Sequence, residues 1–169
     1  LFPYTTLFRS YSNKIHSLDD IKADTKIAIP NDPSNGGRAL VLLEKAGIIK
    51  LKPDYKGEAS IHDVAENPRG VKLVELEAAQ LPISLQDLDV ACVPMNYAVS
   101  GGLDVNKQGF YFESRDAKYA LIIIAARPDN VQSPEVQTFV KCYQSPEVAA
   151  FIKEKFKGQI NPAWEQPAK

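Results

Sequence analysis

Asn35, Gly36, Gly37 and Arg38 are the residues whose types and spacing most directly suggest chemistry in this chain. They follow the apolar segment KIAIP and precede the apolar positions of RALVLLEKAGII. A strand end, a glycine pair and a helix start in that order expose backbone N–H groups, and the partial positive charge of a helix terminus favours an anion there. Arg38 adds a planar fork suited to bidentate pairing with a carboxylate. A helix cap with a surface arginine accounts for the same four residues. The Gly-x4-Gly-Lys-Ser/Thr spacing of a P-loop is absent.

Other chemistry is thin. His16 and His62 are the only histidines, and neither has the neighbours of a catalytic triad. Glu75 and Glu77 alternate in VELE, which puts two carboxylates on one face of a strand; a solvated strand edge explains them better than acid–base work. Cys92, inside DVACVP, and Cys142, inside TFVKCYQ, lack metal spacing and are expected to be buried thiols. No catalytic residue, metal set or cofactor motif is expected.

The elements that must position Arg38 can be read from periodicity and punctuation. Ser17 with Asp20 starts a short capped helix, SLDDIKAD, before a strand at 26–30. Asn31 to Ser34 form a turn, and the next helix stops at Gly47. A short helical piece around SIHDVAEN ends before Pro68, ahead of a strand at 71–77. AQLPISLQD is a short helix, DVACVP a strand at 89–94, and NYAVSGGL a helix closed by Gly101 and Gly102. Strands are expected at 110–114 and 119–126, the second apolar enough to be central and covered on both faces. Two helices opened by SPEV, at 133–136 and 145–148, end the chain; Ser followed by Pro and Glu is capping chemistry, not a duplicated domain. Alternating strands and helices argue an α/β fold with a mainly parallel sheet, in groups either side of about residue 112.

With 169 residues, 44% hydrophobic and 24% charged, the chain can build one core or two small lobes. Twenty Lys and Arg against 21 Asp and Glu leave a net charge of -1, with no basic stripe. Nucleic acid is therefore excluded as a partner. The longest apolar run, Tyr119 to Ala126, falls far short of the roughly 20 residues of a membrane span.

The first ten residues, LFPYTTLFRS, stand apart. Pro3, Tyr4, Thr5 and Thr6 interrupt the apolar core that a secretory signal needs, and the apolar positions fit neither a strand nor a helix period. All ten resemble one reading frame of a widely used sequencing adapter. The expectation is a non-native segment at 1–10, with the protein proper beginning at Tyr11 in mid-domain.

IPNDPSNGGRALVLLEKAGIIKLK, DVAENPRGVKLVELEAAQLPISLQDLDVACV, NYAVSGGL and SPEVAAFIKEKFKGQINPAW, in that order, resemble the methionine-binding lipoproteins of ABC importers, the NlpA-type substrate-binding family. The resemblance runs from Tyr11 to about Trp164. It implies a two-lobed periplasmic-binding-protein fold, type II-like, with the ligand in the cleft between lobes. It also implies a lipid-anchored N-terminus in the periplasm or at the outer face of the cytoplasmic membrane, and delivery of methionine or a related amino acid or short peptide to an importer permease. On this reading residues 11–110 make the second lobe, 111–169 return into a first lobe that is incomplete, and the signal, lipid anchor and aromatic wall of the site lie in sequence not present here.

Arg38 matches the family arginine that faces the ligand carboxylate, and Arg38, Asn35 and Asn96 are the expected ligand contacts. Elsewhere the pattern departs. Where the family commonly has INTNYA this chain has VPMNYA, placing Pro94 at one amide position; Leu121 in KYALIII stands at another, and Ile83 replaces the arginine of LPRSL. An unpaired ligand polar group costs roughly 1 to 3 kcal/mol, so the resemblance with these departures implies a carboxylate-bearing ligand in a more apolar cleft, not free methionine. The alternatives are an enzyme or ligand sensor on the same two-lobed fold, or a truncated fragment that binds nothing.

Overall fold

A computed structural model describes residues 4–6, 8–113, 121–156, 160–162 and 164. In chain order the strands are β1 (Tyr4–Thr6), β2 (Phe8–Tyr11), β3 (Lys26–Pro30), β4 (Lys50–Leu51), β5 (Val64–Glu66), β6 (Lys72–Leu76), β7 (Val90–Pro94), β8 (Gly109–Phe112), β9 (Leu121–Ile122) and β10 (Ile160–Pro162). The α-helices are α1 (Pro33–Lys45), α2 (Leu81–Ser84), α3 (Met95–Ser100), α4 (Val105–Gln108), α5 (Pro134–Tyr143) and α6 (Pro146–Phe156). Among the described residues no helix is long and apolar enough to cross a membrane. The chain forms two compact units, Phe8–Glu113 and Leu1–Leu7 with Ser114–Lys169.

The Phe8–Glu113 unit is built on a five-stranded sheet of order β6-β3-β7-β2-β8. β3 runs parallel to β6 and β7, with Ile29 opposite Glu75 and Ala28 opposite Ala91. β2 is antiparallel to both β7 and β8, so the sheet is mixed where a mainly parallel one was expected. The central strands are apolar without alternation because both faces are covered. Ile27, Ala28 and Ile29 are buried on β3, and Val90, Ala91, Cys92 and Val93 on β7. α1 lays Ala39, Leu40, Leu42 and Leu43 on that core, the i, i+3, i+4 stripe expected of a helix covering a sheet.

The other unit contains a three-stranded antiparallel sheet, β10-β1-β9, with α5 and α6. Ser133 caps α5 by accepting from the Val136 N–H at 3.4 Å, and Ser145 accepts from Val148 N–H at 3.3 Å. Both SPEV segments are therefore helix starts.

Several elements differ from those read in the sequence. Tyr4–Thr6 and Phe8–Tyr11 lie in strands. Alternation failed as a guide because all four residues of β2 are buried between two neighbouring strands. Backbone pairing accommodates many sequences and says nothing of where residues 1–10 come from. Val64–Glu66, expected in a helical piece, leaves a single 3-10 turn at Ile61–Asp63 and pairs with β4. α1 begins at Pro33, inside the expected turn, because proline suits the first helical position. Of the expected strand at 119–126, residues 119 and 120 lie outside the described ones. Its described part, β9, covers two residues and leaves Ile123 57% exposed, not covered on both faces. Cys92 is buried, but Cys142 on α5 is exposed. Its apolar neighbours flank it in sequence, whereas the residue of α5 facing inward is Val140.

Candidate functional site

The carboxyl ends of β3, β6, β7 and β8 and the start of β2 share one edge of the five-stranded sheet, as the parallel and antiparallel pairings require. That edge is where open α/β sheets take ligands. Each expected site residue of this unit projects from it, and local sequence explains how.

α1 starts there. Asp32 is its cap and accepts the Asn35 N–H at 2.9 Å. The Asn35 side-chain amide also donates to both Asp32 carboxylate oxygens at 3.1 Å. Asn35 is thus half-buried in the capping turn, and Asp32 supplies the negative charge that a helix terminus favours. The glycine pair does not present free amides to an anion. The Gly36 N–H donates to the Asp32 carbonyl at 2.8 Å. What requires the glycines is closeness: a Cβ on Gly36 would lie 2.7 Å from the Pro30 carbonyl oxygen, and one on Gly37 3.0 Å from the Ala59 backbone. A small depression of about 150 Å³ beside them is lined by Asp32, Glu58, Ser60 and Glu75. Such acidic walls oppose an anion at that spot.

Arg38 points elsewhere. Its Nε donates to Glu113 Oε1 at 2.9 Å and Oε2 at 3.0 Å, and its Nη2 pairs with the same carboxylate. The two side chains are 12% and 9% exposed. The guanidinium also lies 5.3 Å from the centre of the Phe8 ring, within cation–π range. Glu113 accepts the Phe8 N–H at 3.1 Å, and its own N–H donates to the Phe8 carbonyl at 2.9 Å.

Phe8 links this cluster to the third expected contact. Its Cα partner across the sheet is Pro94, the buried last residue of β7 and the residue that caps α3 without a side-chain bond. Asn96 follows in the first turn of α3 and is exposed. Arg38 and Asn96 thus belong to one sheet edge, and Asn35, although on the same helix as Arg38, serves the cap. β9 includes Leu121 in the other unit.

The residue that sequence reading missed is Glu113, placed there only as part of a strand. It is 75 residues from Arg38, and no local spacing can reveal a partner at that separation. His16 and His62 are exposed, as are Glu75 and Glu77. No group of three or more His, Cys, Asp or Glu among the described residues could hold a metal.

A family model described as NlpA lipoprotein matches residues 3–164. The chain is 42% identical over 156 residues to the D-methionine-binding lipoprotein MetQ of Escherichia coli K12, covering 91% of this chain and 57% of that one. It is 40% identical over 154 residues to the probable D-methionine-binding lipoprotein MetQ of Vibrio cholerae, with the same coverages of 91% and 57%. Among solved structures it resembles a nutrient binding protein from Burkholderia cenocepacia bound to methionine, with TM-score 0.88, 42% identity, and coverage of 96% of this chain and 68% of that one. A periplasmic substrate-binding protein of an ABC transporter from Coxiella burnetii gives TM-score 0.86 and 39% identity, with the same coverages of 96% and 68%. The chain therefore spans little more than half the length of these lipoproteins.

Proposed function

The chain belongs to the NlpA lipoprotein family, and from that premise we propose that it is, or is part of, an extracytoplasmic solute-binding protein that delivers an amino acid to an ABC importer. Its α/β fold is that of the two-lobed periplasmic substrate-binding proteins, and it covers 68% of the length of the two compared above. The observation that carries the proposal is Arg38, a fixed guanidinium at the carboxyl edge of the sheet, in a chain 42% identical to a methionine-bound protein. In this reading Arg38 pairs with the ligand carboxylate and Asn96 supplies a neighbouring amide. Asn35 acts through the helix cap. The protein is a binder and not an enzyme, held at the outer face of the membrane by a lipid anchor and docking on a permease.

Pro94 bears on the ligand. It has no N–H, and it stands where relatives of the family commonly carry an amide side chain. The family resemblance puts Leu121 at a second such position, and the loss of two amide groups supports a ligand other than free methionine. Calorimetry on the whole reading frame, recovered from genomic DNA, tests both statements. The expected result is that an amino acid binds and that Arg38→Lys, which keeps the charge and loses the planar fork, weakens it by roughly tenfold or more. Methionine binding at micromolar strength or tighter would remove the altered-ligand reading. Turnover of an amino-acid-like compound would instead favour an enzyme on this fold.

A further inference from the structure

We propose that Glu113 is the positioning residue of this site: its carboxylate fixes the Arg38 guanidinium and so sets the direction from which that cation meets a ligand carboxylate. The proposal rests on the reading of Arg38 as the ligand contact.

Arginine has a long side chain with many rotamers to lose. A binding site that leaves it mobile must order it when ligand arrives, at the expense of affinity. Here the ordering is already done. Both Glu113 oxygens take the Nε edge of the guanidinium. Glu113 is held in its turn, since its carboxylate accepts the Phe8 N–H at 3.1 Å and its N–H bonds the Phe8 carbonyl at 2.9 Å. Arg38 on α1 is thereby tied to β2 and to the end of β8, three elements distant in sequence.

A second role for Glu113 is conceivable from charge alone: an internal carboxylate that a ligand carboxylate must displace. The geometry argues against it. Displacement would leave a 9% exposed carboxylate without its cation and the Phe8 amide without its acceptor, and each buried unsatisfied group is costly. Glu113 therefore stays in place while the ligand binds. The two roles predict opposite signs for removal of its charge, because a competitor's loss tightens binding and a positioner's loss weakens it.

The test is calorimetry on the whole reading frame with methionine, or the standard amino acid the parent binds most tightly, and with the corresponding amino-acid amide, which lacks the carboxylate. Glu113→Gln is expected to weaken the amino acid by roughly ten- to thirtyfold and to leave the amide within about twofold. A merely structural role would weaken both alike. In an Arg38→Gln background, where the positioned group is gone, Glu113→Gln is expected to change amino-acid affinity by less than about twofold. If Glu113→Gln does not fold, Glu113→Asp, which keeps the charge and shortens the reach, is read by the same ratio of amino acid to amide. Unchanged or tighter amino-acid binding, or an unchanged ratio, overturns the proposal and leaves the binding function standing. A parent that binds no amino acid overturns the binding function, and this proposal with it.

Discussion

Tyr11 and Cys92 are ionisable groups that the five-stranded sheet keeps neutral. Burial pushes the Tyr11 phenol up to about 12, against a smaller downward pull from the Arg9 cation. The Cys92 thiol is likewise pushed up to about 12 by burial, opposed by the Ser10 hydroxyl, 3.5 Å away. A raised pKa means that the folded state holds its proton more tightly than the unfolded one. The stability this gives is complete below the unfolded values, near 9 for Cys92 and 10 for Tyr11, and is lost as pH rises through about 12. For Tyr11 this corresponds to roughly 3 kcal/mol. The Tyr11 hydroxyl is also buried with no hydrogen-bond partner among the described residues. Tyr11→Phe is therefore expected to raise stability by about 1 kcal/mol at pH 7 and to flatten the alkaline loss. Urea unfolding at pH 7 and pH 10.5 reads both, and a variant less stable than the parent at pH 7 would show that the hydroxyl has a partner in solution. Cys92 could be placed inside from its apolar strand; Cys142 could not, because the exposed side of a helix is set by its angle to the core and not by the residues on either side.

At the level of elements, the first turn of α1, the helix of Asn35 and Arg38, is held by one carboxylate. Asp32→Ala removes the acceptor of the Asn35 N–H and of its side-chain amide, and is expected to lower stability by about 1 kcal/mol. Asp32→Asn, an equally good cap, should cost much less. A loss as large for Asn as for Ala, measured by chemical denaturation, would mean that charge and not cap geometry governs the turn. β3, β7, α3 and the two SPEV helices were legible because each combines an apolar run with a clear stop or start residue. β2, β4 and β5 were not, since short or doubly buried strands have no period to read, and β9 was expected as a strand but a longer one. For the candidate site, the place of Arg38 on a helix after a strand was legible, while the Asp32 carboxylate that holds Asn35 was read only as part of a turn. The glycine pair was noticed for the wrong reason: contact with Pro30 and Ala59 demands it.

For the molecule as a whole, apolar burial is uneven. The main core cluster lies entirely within Phe8–Glu113. The other unit contributes Val140, Ala149, Ile152 and Ile160 to the buried set, while Ile123, Phe139 and Phe151 are more than half exposed. Local stability follows such burial. Hydrogen exchange read by mass spectrometry is expected to show amides of β3 and β7 protected at least about 100-fold longer than those of α5 and α6; equal protection would mean that both units open in one step. The fold family was legible from motif-length resemblance more than from periodicity, because a two-lobed arrangement depends on contacts between distant segments. β2 illustrates the point in time as well as space. Ser10 meets Cys92 from 82 residues away, and β8 comes later still. At ribosomal rates of 5–20 residues per second, the backbone of β2 waits on the order of 10 s for its first partner. During biosynthesis this strand is an open edge, prone to pair with another nascent chain, so the yield of soluble protein should depend on how fast the message is read.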